Sequence, residues 1–104
     1  SLSFLKRLPD ISSSHHIFMI FCKERDNLKK FLSKNKIETI IHYPIIPPRQ
    51  KPYIKKIYSI RNFKNAIKIQ NQGLSIPLGS HLTNKNQEFI ILKIKKFFNN
   101  YKSK

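Results

Sequence analysis

The residues best suited to chemistry lie close together. Ile41-His42-Tyr43-Pro44 brings an imidazole and a phenol to the end of an apolar, β-branched run. Pro47-Pro48-Arg49-Gln50-Lys51-Pro52-Tyr53 follows with a guanidinium, an amide and a second phenol. Histidine exchanges protons near neutral pH, and Arg, Gln and Tyr supply donors to oxygen-rich ligands. Strand ends and the loops after them are where rigid scaffolds present such groups. Alternation along a strand sends His42 and Tyr43 to opposite faces, so both reach one ligand only where the strand twists or stops. The plainer alternative is a capped strand end with a half-buried tyrosine.

Other catalytic signatures are missing. Two glycines in the whole chain leave no glycine-rich phosphate loop. Cys22 lies within the apolar run Ile17–Cys22, where a thiol is expected to be buried and inert. His15 and His16 are adjacent and would leave opposite faces of a strand, so they do not pair as metal ligands. Asp10, Glu24, Asp26, Glu38 and Glu88 are scattered, with no paired-carboxylate site among them. The isolated chain does not read as an enzyme.

Alternating strand and helix patterns would position the 41–53 segment. His16 to Cys22 reads as a central strand, apolar on both faces. Glu24 to Lys34 reads as a helix with Leu28, Phe31 and Leu32 on one stripe. Glu38 to Pro44 is expected as the second strand, stopped by Pro44 and Pro47-Pro48. Lys51 to Ile57 is a short helix candidate, and Asn62 to Gln72 another, with Phe63, Ala66, Ile67 and Ile69 apolar and Gly73 as its stop. Leu74 to Leu78 is a short strand that Pro77 pushes toward an edge. Thr83 caps a long helix from about Asn84 to Tyr101, with Ile90, Ile94 and Phe97, joined by Ile91 and Phe98, on its buried stripe. Residues 1–14 have no clean period and are expected to be a connector or non-native leading residues, with one domain over 15–104. The pattern predicts a two-layer α/β (α+β) sandwich, a small, mainly antiparallel sheet of about three strands with helices packed on it.

Four strings in order then resemble one family. His16 to Phe31, with Arg25-Asp26 opening a helix, Ile41-His42-Tyr43-Pro44 with Gln50 and Tyr53, Leu74-Ser75-Ile76-Pro77-Leu78, and Leu82-Thr83 with Gln87 together resemble one small C-terminal domain. It is that of the DegT/DnrJ/EryC1/StrS group of pyridoxal-phosphate-dependent sugar aminotransferases. Pro48 stands where the family often has His, and Lys36-Ile37-Glu38 where a Gly commonly precedes the strand. The resemblance implies the small domain of an aspartate-aminotransferase fold, and so a fragment whose large domain, with the Schiff-base lysine and the cofactor phosphate site, is absent. It implies a transaminase acting on a dTDP- or UDP-linked keto-deoxy sugar in amino-sugar or surface polysaccharide (lipopolysaccharide) biosynthesis, homodimeric when full length. It implies substrate-binding roles for His42, Tyr43, Arg49, Gln50 and Tyr53. Arg49 and Lys51 would offset diphosphate charge. No catalytic or cofactor-binding residue and no bound pyridoxal phosphate is expected in this chain.

Composition bounds these readings. The 104 residues carry 21 Lys+Arg against 5 Asp+Glu, a formal charge of +16. Such charge invites a second reading, a small nucleic-acid-binding module with Phe97-Phe98 and Tyr101-Lys102 stacking bases. Lysines outnumber arginines and are spread along the chain beside abundant Ile and Asn, which weakens that reading. No apolar run approaches the ~18 residues of a membrane span, and no leader opens the chain. With one cysteine, the expectation is a reduced, cytoplasmic protein.

Overall fold

The computed structural model describes residues 1–6, 8–54 and 60–102. Strands β1 (Leu2–Phe4), β2 (Phe18–Cys22) and β3 (Gly73–Ile76) form one antiparallel sheet in the order β1-β2-β3. Helices α1 (Arg25–Lys34), α2 (Lys64–Gln72) and α3 (Asn84–Lys102) pack on it, with single 3-10 turns at Pro47–Arg49 and Ile60–Phe63. This is the architecture the alternating pattern predicts. β2 is central, as its apolar run requires: Ile20 pairs with Phe4 on one side and Leu74 on the other. Ile20, Cys22 and Leu74 share a buried cluster with Leu28 and Leu32 of α1 and Ile90, Ile94 and Phe97 of α3. Each fully buried Leu or Ile contributes roughly 1.5–3 kcal/mol.

The third strand is not the expected one. Leu2–Phe4, inside the stretch read as a connector, pairs with Ile20–Cys22 as an edge strand. Glu38 to Pro44 forms a single backbone bridge with the sheet, in which Ile40 and Ser75 exchange hydrogen bonds of 3.1 and 2.8 Å. The next such pairs would join Glu38 to Pro77 and His42 to Gly73. Pro77 has no N–H to give. At Gly73 the N–H donates to Ile69 O, and the carbonyl accepts from Arg25 Nη1 at 3.2 Å. The ladder is blocked on both flanks, so the segment leaves the sheet after one bridge.

The helix ends show why the elements stop where they do. Arg25 Nη1 donates to Gln70 O and Gly73 O, so one guanidinium in the first turn of α1 satisfies carbonyls at the end of α2. A Cβ on Gly73 would lie 2.7 Å from Ile69 O, so only glycine allows this turn from helix to strand. α1 closes with Lys36 N–H donating to Ser33 O and Ile37 N–H to Leu32 O, while Lys36 takes φ 60°. That is a Schellman closure, sealed by Ile37 and Leu32 in the core, and its left-handed position normally favours glycine. It falls at the place where the family resemblance expects a Gly. Thr83 caps α3 as expected, its Oγ1 accepting from Asn86 N–H at 3.2 Å.

Two smaller expectations change. Residues 51–54 form a turn in which Gln50 O accepts from the Tyr53 and Ile54 N–H groups, rather than the start of a helix. The remainder of Lys51 to Ile57 lies outside the described residues. Ile91 is half exposed, because one residue step past Ile90 rotates it off the stripe that faces the sheet.

Candidate functional site

His42 emerges just past the Ile40–Ser75 bridge. It is half-buried, with Nδ1 2.8 Å from Ser75 Oγ. Tyr43 beside it is 72% exposed, and the two rings meet edge to face at 5.4 Å. Because the ladder has already ended here, strand alternation does not separate them. Lys29 Nζ donates to Thr39 O at 2.8 Å, tying the segment ahead of His42 to α1.

The proline-rich turn is pinned from behind. Ile46 is buried, and its N–H donates to Gln70 Oε1 of α2 at 3.0 Å. Pro47–Arg49 then makes a 3-10 turn, in which Arg49 N–H donates to Ile46 O and Gln50 N–H to Pro47 O. Gln50 Nε2 turns back to Ile45 O at 3.2 Å, so this amide is engaged in holding its own loop. Arg49 and Gln50 are exposed, and Tyr53 follows one turn later at 40% exposure.

His42 lines a cleft of about 370 Å³ together with His16, Glu38 and His81, and with Ile17 and Leu78 as apolar wall. Tyr43, Arg49, Gln50 and Tyr53 do not line it. The five residues expected at the site therefore divide. His42 faces the cleft with Tyr43 at its shoulder, while Arg49, Gln50 and Tyr53 belong to the turn beyond. Sequence reasoning missed Ser75, Gln70, Glu38, His16 and His81. Ser75 lay inside the Leu74–Leu78 string and His16 at the head of the His16–Phe31 string, and those strings were the available signals.

Burial decides among the remaining candidates that the structure describes; the side chains of Tyr101 and Lys102 lie outside the described residues. Cys22 is 2% exposed, and its thiol is pushed up to about 11 by desolvation, then by the Glu24 charge. It stays protonated and unreactive near neutral pH. Among the described residues no group of three or more His, Cys, Asp or Glu could hold a metal ion, and no helix is long and apolar enough to cross a membrane. Phe97 is buried and Phe98 packs against the core, so these rings do not form a base-stacking surface.

The molecule's likeness to known proteins follows the same outline. The structure superposes on the Streptomyces venezuelae protein DesV, solved with a ketimine intermediate, at a TM-score of 0.87 and 24% identity, covering 92% of this chain and 26% of that one. A DegT DnrJ EryC1 StrS aminotransferase from Brucella abortus gives 0.71 and 25% over 78% of this chain and 22% of its own. In sequence, the chain is 29% identical over 84% of its length to the erythromycin biosynthesis sensory transduction protein EryC1 of Saccharopolyspora erythraea, covering 24% of that protein. It is 27% identical over 79% to the dTDP-3-amino-3,6-dideoxy-alpha-D-galactopyranose transaminase of Aneurinibacillus thermoaerophilus (22% of it), and 30% over 71% to the dTDP-3-amino-3,4,6-trideoxy-alpha-D-glucose transaminase of S. venezuelae (20% of it). The chain spans a quarter or less of each of these relatives. With residues 3–95 matching throughout, and the fold, the ordered strings and the relatives in agreement, the chain belongs to the DegT/DnrJ/EryC1/StrS aminotransferase family.

Proposed function

We propose that this chain is the C-terminal small domain of a pyridoxal-phosphate-dependent transaminase acting on a nucleotide-linked keto-deoxy sugar. Its part is to guide the sugar nucleotide. The carrying observation is His42, held by Ser75 at a cleft beside the exposed ring of Tyr43. Two relatives bear the names of dTDP-sugar transaminases, which supports the substrate class. Exposed Arg49 and Lys51 suit the diphosphate, and Gln50 and Tyr53 shape the turn that would border it.

The residues present do not fit the cofactor by themselves. Among the described residues that line the His42 cleft there is no lysine. We assign cofactor binding and the reacting lysine to a large domain on another stretch of polypeptide, with which this domain makes a cytoplasmic, homodimeric enzyme of surface-sugar biosynthesis. Apolar side chains exposed along the N-terminal stretch, Phe4, Leu5, Leu8 and Ile11, are consistent with a unit built to sit against more protein.

A chimera tests this reading. The chain replaces the matching segment of the S. venezuelae dTDP-sugar transaminase, and turnover of a dTDP-keto sugar is measured. The chimera should be active and the 104-residue chain alone inactive. His42→Ala and Tyr43→Ala should each raise KM for the sugar nucleotide about tenfold, the scale of one lost hydrogen bond, with cofactor absorbance intact. Unchanged kinetics for both variants in a folded, coloured chimera would remove them from the site.

A further inference from the structure

Ser75 is held more tightly than a surface serine at the end of a sheet. Its N–H donates to Ile40 O and its C=O accepts from Ile40 N–H, while its Cα pairs with Met19 of β2. The residue is 6% exposed. The freedom left to it is rotation of the hydroxyl, and that oxygen lies 2.8 Å from His42 Nδ1. The structure gives Ser75 Oγ no second partner among the described residues. A part-buried hydroxyl proton without an acceptor loses a hydrogen bond. A hydroxyl that donates to Nδ1 avoids that loss, and a ring nitrogen that accepts carries no proton of its own. The neutral ring then bears its proton on Nε2, the nitrogen left for whatever enters the cleft.

We propose that Ser75 is a positioning residue that locks His42 in the Nε2–H tautomer, so that His42 acts as a hydrogen-bond donor to an oxygen acceptor of the ligand, a hydroxyl, carbonyl or phosphate oxygen. The lock is a property of this chain; its use in binding rests on the sugar-nucleotide reading of His42. A histidine donor anchored to a sheet serine discriminates by geometry. It rewards an oxygen at one place in the cleft and offers nothing to a ligand that brings a donor there.

The test is nitrogen NMR of the four histidines in the labelled chain at a pH where the rings are neutral, with His42 assigned by its loss in His42→Gln. Wild type should show Nδ1 of His42 bare and Nε2 protonated. Ser75→Ala should raise the minor Nδ1–H form several-fold, and Ser75→Thr, which keeps the hydroxyl, should restore the wild-type pattern. A protonated Nδ1 in wild type overturns the lock without any variant. An unchanged tautomer ratio in folded Ser75→Ala, judged by its amide spectrum, also overturns it. In the chimera, Ser75→Ala should raise KM for the sugar nucleotide several-fold and Ser75→Thr should recover it. A tautomer that responds while neither Ser75→Ala nor His42→Ala moves KM leaves the lock standing and refutes its role in binding.

Discussion

The helix-covered face of the sheet and the segment from Glu38 to Ile54 are built on opposite terms. On the covered face, Leu28, Leu32 and Leu74 are wholly buried, and neighbours repeat at helical and strand spacing. Along 38–54 there is one backbone bridge, one buried isoleucine, and a set of single side-chain hydrogen bonds: Lys29 Nζ to Thr39 O, His42 with Ser75, Ile46 N–H to Gln70 Oε1. The first region is held by many interchangeable contacts. The second is held by a few specific ones, each from a different element, and it carries the polar groups. A scaffold can place a histidine this way without giving up core, because each tether is a polar group that takes no place in the buried apolar cluster.

Mutations sharpen the contrast. Leu28→Ala empties a fully buried position and should cost about 3 kcal/mol in denaturant unfolding of the chain; a loss below about 1 kcal/mol would mean the α1–sheet core is looser than its burial implies. Lys36→Gly relieves a left-handed residue at the Schellman closure of α1 and should add about 0.5–1 kcal/mol. A destabilisation there would show that the lysine side chain does more than tolerate its backbone. Tyr43→Ala removes a 72% exposed ring and should change stability by less than about 0.5 kcal/mol, while affecting the sugar-nucleotide KM of the chimera. A large stability loss would move Tyr43 from the ligand side of the comparison to the structural side.

What could be read in advance differs between the same two regions. The run Ile17–Cys22 implied a central strand, and β2 is central because both neighbours pair with it. The Leu28, Leu32 and the Ile90, Ile94, Phe97 stripes pointed to the faces that α1 and α3 bury, since a period near 3.6 admits one orientation against a sheet. Leu2–Phe4 escaped notice because three residues are too few to show a period, and its pairing to β2 depends on residues far along the chain. Glu38 to Pro44 looked like a strand by β-branched content. The groups that stop its ladder, Pro77 and the Gly73 backbone taken up by Arg25 and Ile69, come from elsewhere. His42 and Tyr43 stood out by type and place. Ser75, which holds His42, resembles any small strand residue.

The order of residues by itself determined the main apolar stripes of α1 and α3, the helix cap at Thr83, and the family strings, because each depends on neighbours a few positions away along the chain. Only the folded arrangement decided which strand completes the sheet, where the Glu38–Pro44 ladder ends, and that His16, His42 and His81 share one cleft. The reason is physical: a local pattern fixes which side of an element is apolar, whereas a single hydrogen bond between distant residues depends on how finished elements come to rest against one another.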